Sequence, residues 1–210
     1  MNNFYLTIHH SSRDEVIIQK SRFIGCAAPC ETEEDALEFI RSVHDQYRDA
    51  RHWCYAYVIG QNRGIMRYSD DGEPSGTAGM PMMDVIKNSG VVNCCVVVVR
   101  YFGGVLLGTG GLVRAYTQGC KLALQASGII RMELTDVREC RVSYAAWNMI
   151  QHALQNTSFS LDRIEYSDMV SFLLCTKAED TLSAVSMIDN LTEGKARWKE
   201  IGIKYTPWPV

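Results

Sequence analysis

The sequence contains no run of 18 or so consecutive apolar residues, which is about the length that a membrane-spanning helix needs. It also has no positively charged stretch followed by an apolar one over residues 1–10, the pattern of a secretory leader. These two absences predict a soluble, cytoplasmic protein without a membrane partner. The 210 residues, 47% of them apolar, are enough for one large domain or two modest ones.

Metal-binding cysteine pairs are also missing, although the chain has eight cysteines. No Cys-x-x-Cys occurs, so the spacing predicts neither a zinc site nor a disulfide framework. Cys94 and Cys95 lie in an apolar run that reads as a strand, where neighbouring side chains point to opposite faces. We therefore expect reduced cysteines that act mostly as small core residues, and we predict no metal and no other cofactor.

A complete set of nucleophile, base and orienting residue is absent as well. His52 and Cys54 are two residues apart on a predicted strand, so their side chains share one face. A thiol beside an imidazole can act as a nucleophile, and this is the one such pair to consider. Because no third, orienting group accompanies it, the sequence favours a protein that is not an enzyme.

Positive charge is not in excess, since 21 lysine and arginine residues stand against 24 aspartate and glutamate residues, a net charge of −3. A broadly basic surface for nucleic acid is therefore excluded, and any contact with RNA requires a local patch. The alternative is a solvated surface with scattered charges. The candidate patch residues are Arg51, Arg63, Arg67, Arg100 and Arg114, with Tyr101 and Phe102 as stacking surfaces.

The most informative feature that is present is the glycine segment, residues 100–114, with five glycines and an arginine at each end. It lies between a predicted buried strand, residues 94–99, and a helix predicted to begin near Leu112 and to end near Ala126. Glycine amides at a helix start, flanked by arginines, can bind an anion, and the same glycines can serve only to turn the chain. The spacing matches neither a P-loop nor a dinucleotide-binding pattern. The candidate ligand-binding residues of this segment are Arg100, Tyr101, Phe102, Gly103, Gly104, Gly108, Gly110, Gly111 and Arg114.

A second cluster is the acidic loop, residues 70–79, which combines three carboxylates with small and hydroxyl residues. It leads into a helix predicted over residues 82–87, with Pro81 near the first turn. The carboxylates can hold a hard cation or act as acid and base, or they can bind the free amides of the turn and the helix start. Their spacing matches no calcium loop, so we assign no metal. The candidate ligand-binding residues in and beside this loop are His52, Asp70, Asp71 and Glu73.

Strand and helix patterns organise the rest of the chain. Residues 4–10 and 15–28 have strand character around a turn at residues 11–14. Apolar residues recur at helical spacing over residues 31–47, where Thr32 can cap the helix. From about residue 135 the order is strand, helix, strand, strand, helix, strand, which is the ferredoxin-like βαββαβ order and favours a structural or interaction module.

Four strings together resemble the Impact family. They are Ser-Arg-Phe-Ile-Gly from residue 21, His-Trp-Cys-Tyr-Ala-Tyr from residue 52, Asp-Asp-Gly-Glu-Pro-x-Gly-Thr-Ala-Gly in the acidic loop, and Arg-Tyr-Phe-Gly-Gly…Gly-Thr-Gly-Gly-Leu-x-Arg-Ala-Tyr from residue 100. The resemblance covers residues from about 21 to 126, and the remainder fits the bacterial, YigZ-like, two-domain form. Two positions depart from many relatives, with Arg51 in place of threonine and Leu106 in place of lysine.

The resemblance implies an α+β fold with two domains. Residues 1–134 would form a ribosomal-protein-S5-domain-2-like βαβ sandwich, the Impact-type N-terminal domain. Residues 135–210 would form a ferredoxin-like βαββαβ domain that resembles domain five of the translocase. Likeness of fold is an analogy and does not by itself imply a function.

The function that the resemblance implies is a non-enzymatic, translation-associated regulatory role, with contact to RNA or the ribosome through the glycine segment and its arginines. The eukaryotic relatives regulate initiation by competing for the activator of a stress-responsive kinase through an appended domain, and we do not transfer that property. One alternative is an enzyme or a binder of a small anion, such as phosphate or a nucleotide, with a cleft between the acidic loop and the glycine segment. Another is an adaptor for a protein partner, which would present a large apolar patch.

Overall fold

The computed structural model describes residues 4–155 and 157–208 of the chain. The fold is mixed α+β, as predicted, and none of the helices in these ranges is long and apolar enough to cross a membrane. The elements in chain order are β1 (Phe4–Ile8), β2 (Ser12–Ile18), β3 (Ser21–Pro29), α1 (Glu33–Gln46), β4 (His52–Ile59), β5 (Ile65–Ser69), α2 (Gly79–Ser89), β6 (Cys94–Tyr101), α3 (Gly108–Ser127), β7 (Ile129–Val142), α4 (Tyr144–Leu154), β8 (Ser160–Tyr166), β9 (Val170–Lys177), α5 (Thr181–Leu191) and β10 (Arg197–Trp208).

Residues Tyr5–Arg131 form the first of two compact units, here called the N-terminal unit. Its sheet has five strands in the order β2-β3-β6-β4-β5, and every neighbouring pair is antiparallel. Helix α1 packs on one face of the sheet, and α2 and α3 pack on the other. The unit therefore has a separate apolar core on each side of one sheet.

The central strand β6 explains the unbroken apolar run in the sequence. Cys94, Val96 and Val98 belong to the core under α2 and α3, whereas Cys95, Val97 and Val99 belong to the core under α1. Both faces of the strand are buried, so the usual alternation of apolar and polar residues is absent. The prediction that Cys94 and Cys95 point to opposite faces is confirmed.

The first hairpin of the sheet corrects the sequence-based prediction of one long strand and a turn at residues 11–14. Residues 12–14 lie inside β2, and the chain turns instead at Gln19 and Lys20, which have φ angles of 44° and 66°. Two positive φ angles in succession are typical of a type I′ hairpin turn. Neither residue is the glycine or asparagine that usually marks such a turn, which is why the sequence pattern missed it.

Helix α2, which follows the acidic loop, and helix α3 in the glycine segment both begin earlier than predicted. Helix α2 begins at Gly79 rather than at Met82, and Pro81 is its third residue, where a missing N–H costs no internal hydrogen bond. Helix α3 begins at Gly108 rather than near Leu112. Three glycines of the glycine segment thus belong to the first turn of a helix, and the buried Leu112 anchors that turn.

Close backbone contact fixes α3 against the sheet. A Cβ on Gly25 of β3 would clash with the carbonyl oxygen of Gly119 in α3. A Cβ on Gly119 would lie 3.1 Å from a methyl group of Val98. One turn earlier in the helix, the ring of Tyr116 meets that of Phe23 edge to face, with 5.3 Å between centroids. The helix can lie this close to β3 only because Gly25 and Gly119 carry no side chains.

The start of α1 follows the sequence-based prediction. Thr32 accepts a hydrogen bond from the backbone N–H of Asp35, and the Asp35 side chain accepts one from the backbone N–H of Thr32. This reciprocal pair is a capping box, which satisfies two backbone donors at the helix start. Thr32 is therefore confirmed as the N-cap.

Residues Met132–Trp208 belong to the second compact unit. Strands β7, β9 and β8 are antiparallel neighbours in that order, and β10 also pairs with β7. Helices α4 and α5 contribute to one apolar core, in which Trp147 lies 5.0 Å from Phe172 between ring centroids. The element order is the predicted βαββαβ. The boundary between the units lies within β7, three residues before the predicted start at residue 135.

The close contact between α3 and β3 predicts that alanine at Gly25 destabilises the protein, whereas alanine at Gly110, outside this contact, does not. Gly25→Ala should destabilise the protein by about 1–3 kcal/mol, because the new methyl group meets backbone atoms that cannot move aside. Gly110→Ala is the matched control, since a Cβ there has open space and alanine favours the helix, so stability should stay equal or rise by up to about 1 kcal/mol. Urea unfolding measures both, and equal effects would contradict the packing described here.

Candidate functional site

The candidate site lies where three neighbouring strands of the N-terminal unit present polar and aromatic side chains in one row. Arg100 near the end of β6 pairs with Phe23 of β3 on one side and with His52 of β4 on the other. Directly opposed residues in a sheet point to the same face. The register therefore brings Phe23 and His52, which are 77 and 48 positions from Arg100 along the chain, next to it. The acidic loop and α3 meet the sheet at the same end.

The acidic loop and α3 are joined to this row through Glu73. Oε1 of Glu73 accepts a hydrogen bond from Nη1 of Arg100 at 2.6 Å and another from the hydroxyl of Tyr116 at 2.8 Å. The side chains of Glu73 and Arg100 are only 3% and 8% exposed. A charged pair this deeply buried needs both partners, since each alone would be an unpaired charge in an apolar setting.

Aromatic rings complete the surroundings of Arg100. Its guanidinium carbon lies 5.5 Å from the ring centroid of Phe23 and 5.6 Å from that of Phe102. Nε of Arg100 is buried and has no hydrogen-bond partner among the described residues. Arg100 was predicted as a surface patch residue, and the structure instead places its charge inside the unit, where it holds Glu73.

Asp70 organises the acidic loop and the start of α2. Its two carboxylate oxygens accept hydrogen bonds from the backbone N–H groups of Gly76, Ala78 and Gly79, at 2.8–3.0 Å. Burial favours a higher pKa for Asp70, but these three donors outweigh it and lower the pKa below its ordinary value. Of the two predicted roles, the structure supports the binding of free amides at the turn and helix start.

Asp71 holds the beginning of β4. Its carboxylate accepts a hydrogen bond from the backbone N–H of Trp53 at 2.7 Å, and its carbonyl oxygen lies 2.7 Å from Nδ1 of His52. A carbonyl oxygen can only accept, so Nδ1 of His52 carries the proton and donates it. Gly72 lies beside the imidazole ring with φ of 81°, a left-handed conformation that favours glycine and lets the loop turn there.

Cys54 shares the face of His52, as predicted, but its environment opposes nucleophilic chemistry. The thiol is fully buried and donates to the carbonyl oxygen of Asp70 at 2.9 Å. Burial raises the pKa of Cys54 well above its ordinary value, so the thiolate is scarce at neutral pH. Within the described ranges, no group of three or more histidine, cysteine or acidic side chains is placed to hold a metal ion.

The aromatic residues of the glycine segment point in different directions. Phe102 contacts Arg100 and is 45% exposed. Tyr101 packs instead with the core under α1, and its hydroxyl donates to Asp49 at 2.7 Å, a hydrogen bond that raises the pKa of Tyr101 to about 12. The two rings were predicted as a joint stacking surface, and the structure leaves that role to Phe102.

The glycines of the segment divide into one structural position and an open stretch. The backbone N–H of Gly103 donates to the hydroxyl of Ser21, and a Cβ on Gly103 would collide with the backbone of Lys20. Beyond it the chain is exposed, and α3 begins without a side-chain cap. Arg114 is also exposed, and its side chain has no hydrogen bond or ion pair with the described residues. The remaining predicted glycines, which lie in this open stretch or in the first turn of α3, are Gly104, Gly108, Gly110 and Gly111.

The five arginines predicted as one patch do not lie together. Arg51 is exposed and its backbone N–H donates to the carbonyl oxygen of Arg100, so it lies at the site. Arg63 is in the turn between β4 and β5, at the opposite end of β4 from His52. Arg67 lies on β5 with its Nε 4.0 Å from Glu33. The prediction of a single patch is wrong for Arg63 and Arg67.

A separate groove of about 640 Å³ runs between α2 and α3, away from the residues of the site. It is lined by mixed polar and apolar side chains, with Asp84 and Lys121 as its charged members. In the region where the small-ligand alternative requires a cleft, Glu73 of the acidic loop bonds directly to Arg100 and to Tyr116.

Tyr116 is the residue of the candidate site that the sequence analysis did not predict. Its hydroxyl meets Glu73, which is 43 residues away, so no local pattern joins them. A usable signal was present, since Tyr116 is a polar aromatic residue within the buried stripe of α3 that includes Leu112 and Cys120. Burying a hydroxyl in such a stripe requires a partner from another element.

Comparison with known proteins identifies several relatives. A family model described as the Impact N-terminal domain matches residues 19–124. YvyE of Bacillus subtilis (strain 168), described as an IMPACT family member, is 38% identical over 205 residues, which cover 98% of this chain and 94% of YvyE. YigZ of Escherichia coli (strain K12), described in the same way, is 50% identical over 110 residues, or 51% of this chain and 54% of YigZ.

One solved structure has the same fold over almost the whole chain. It is described as the crystal structure of an hypothetical protein, and it is 32% identical in sequence with a TM-score of 0.62. The match covers 96% of this chain and 98% of the other. This likeness supports the α+β fold described above.

Asp70 predicts a stability difference that depends on pH. Its folded pKa is lowered, so its contribution is complete above the unfolded value of about 4 and is lost as the pH falls through the lower folded value. Asp70→Asn should cost about 1–3 kcal/mol at pH 7, because the amide has one acceptor oxygen for three donors. The difference in the free energy of unfolding between wild type and Asp70→Asn, measured with urea, should become smaller below about pH 4. Asp84→Asn, at an exposed residue of α2, is the control. A loss of unfolding free energy for Asp70→Asn that stays constant with pH would contradict this role.

The buried pair of Glu73 and Arg100 predicts strong energetic coupling. Arg100→Met should destabilise the protein by about 3–5 kcal/mol, because it leaves the Glu73 carboxylate buried with only Tyr116 as a donor. Adding Glu73→Gln removes that unpaired charge, so the double variant should be more stable than the sum of the single effects by roughly 0.5–3 kcal/mol. A double-mutant cycle by urea unfolding measures this, and simple additivity would show that the pair is not coupled.

Proposed function

Because the chain belongs to the Impact family, we propose that it is a non-enzymatic, translation-associated regulatory protein that contacts RNA, free or in the ribosome. The family supports the association with translation at this coarse level. The contact with RNA is supported by the exposed end of the N-terminal unit. We call this region the contact surface and define it as Arg51, Phe102, residues 104–110 and Arg114.

The observation that carries the proposal is the division of charge at the site. The carboxylates of the acidic loop are committed internally, with Asp70 on three backbone amides and Glu73 on Arg100. The cations that remain exposed, Arg51 and Arg114, have no carboxylate partner among the described residues. A phosphate backbone is a ligand that pairs with separated cations along a surface.

The first turn of α3 adds uncharged donors to the contact surface. The first four backbone N–H groups of a helix have no partner within the helix, and α3 begins without the side-chain cap that α1 has. A Cβ on Gly108 or Gly110 of this turn, or on Gly104 before the helix, would meet nothing within 4 Å, so the chain is open around these residues. Phosphate oxygens can accept hydrogen bonds from such amides. The same donors would serve a small anion, so inorganic phosphate is a necessary competitor in the test.

Loss and gain of charge on the contact surface test the proposal. Arg114→Ala should weaken binding to single-stranded RNA about fivefold and reduce the salt slope by about 0.7, the value for one phosphate contact. Leu106 is 85% exposed, so Leu106→Lys should strengthen binding by a similar factor. The measurement is fluorescence anisotropy with RNA and with ribosomes between about 50 and 200 mM salt.

Lys121→Ala is the matched control, because it removes the same charge from the same helix about two turns from Arg114. It should leave the affinity and the salt slope unchanged. Wild-type protein that binds neither RNA nor ribosomes, or binds them without dependence on salt, would refute the proposal. Competition by millimolar inorganic phosphate at constant ionic strength would favour the small-anion alternative instead.

A further inference from the structure

We infer that His52 and Phe102 form a site for one unpaired base of single-stranded RNA, with the base stacked on Phe102 and an N–H group donated to Nε2 of His52. This inference rests on the proposed function and deepens it, because it names what the surface recognises besides phosphate. It depends on the hydrogen-bonding state of His52, the position of Phe102 and the charge of the groups between them.

The imidazole of His52 is held in one tautomer and one orientation. Nδ1 donates its proton to the carbonyl oxygen of Asp71 at 2.7 Å, so in the neutral ring Nε2 bears a lone pair and accepts. Nε2 lies 4.0 Å from Oε1 of Glu73, a distance too long for a direct hydrogen bond. The side chain is 23% exposed, so the ring is partly accessible from outside the unit.

The charges around His52 select an N–H donor rather than a phosphate. Glu73 is an acceptor, and its charge already balances that of Arg100 in the buried pair. An arriving phosphate oxygen would therefore face two acceptors here, Nε2 of His52 and the Glu73 carboxylate. An N–H group on the edge of a base meets a free lone pair, which is the complement that it requires.

Phe102 supplies the platform for such a base. Its ring lies 5.6 Å from the guanidinium carbon of Arg100, and nearly half of the residue is exposed. Arg100 is opposite His52 in the sheet and lies against the ring of Phe102, so both members of the site border the same buried residue. Stacking of a base on an aromatic ring strengthens binding about 5- to 100-fold, and it does so for any base.

The test separates base recognition from phosphate contact by using RNA with and without bases. A single-stranded RNA of about eight nucleotides is compared with an abasic strand that has the same number of phosphates. Wild-type protein should bind the base-bearing strand about 5- to 100-fold more tightly. Phe102→Leu should abolish this preference, whereas Tyr68→Leu, which removes an exposed aromatic residue on β5, should preserve it.

His52→Asn isolates the acceptor atom. The asparagine amide can still donate to the carbonyl oxygen of Asp71, but it has no group at the position of Nε2. This variant should retain its thermal unfolding transition and lose roughly 2- to 10-fold in affinity for the base-bearing strand alone. Arg114→Ala should weaken binding to both strands equally.

In a second experiment, neutral adenosine is titrated into the protein while the ¹⁵N signals of the His52 ring are followed.

Each outcome bears on a different part of the inference. Equal binding of the two strands by wild-type protein would overturn the base site and leave the phosphate contact intact. A shift of the His52 signals by adenosine without any RNA binding would support the base site and overturn the proposed function. Absence of both responses would overturn both, and binding only to ribosomal proteins stripped of RNA would assign the surface to a protein partner and overturn the base site.

Discussion

The buried pair of Glu73 and Arg100 is the interaction on which the rest of the site depends. It joins the last part of β6 to the acidic loop, and through the hydroxyl of Tyr116 it also joins the loop to α3. Three elements that are distant in sequence meet at one carboxylate oxygen. Because neither charge is accessible to solvent, the geometry of the loop and of the helix is fixed by the need to keep both charges paired.

This arrangement gives the charged residues in and beside the site two distinct roles. Asp70, Asp71 and Glu73 shape the acidic loop from within, by binding backbone amides and one arginine. Arg51 and Arg114 remain at the surface. A cluster that is rich in charge in the sequence is therefore engaged mostly within the fold.

Residues whose roles are local or periodic could be predicted from the sequence. Thr32 is the cap of α1 because capping involves residues three positions apart, and the opposite facing of Cys94 and Cys95 follows from strand alternation. The burial of Arg100 could not be predicted, because it depends on the pairing register of three strands and on a carboxylate 27 residues away. The start of α3 at Gly108 was missed because the packing of Leu112 outweighs the low helix propensity of glycine.

The strand β6 has a consequence for how the sheet finds its correct alignment. Its run Cys-Cys-Val-Val-Val-Val is apolar on both faces, so a shift by one residue would still bury apolar side chains on each side. Arg100 and Tyr101 distinguish the alternatives, because a slip would turn the guanidinium away from Glu73 into the core under α1 and the Tyr101 ring away from Asp49. Arg100, which organises the site, thus also helps to set the register of the central strand. A misaligned pairing would leave its charge without Glu73, whereas the apolar side chains before it are nearly interchangeable.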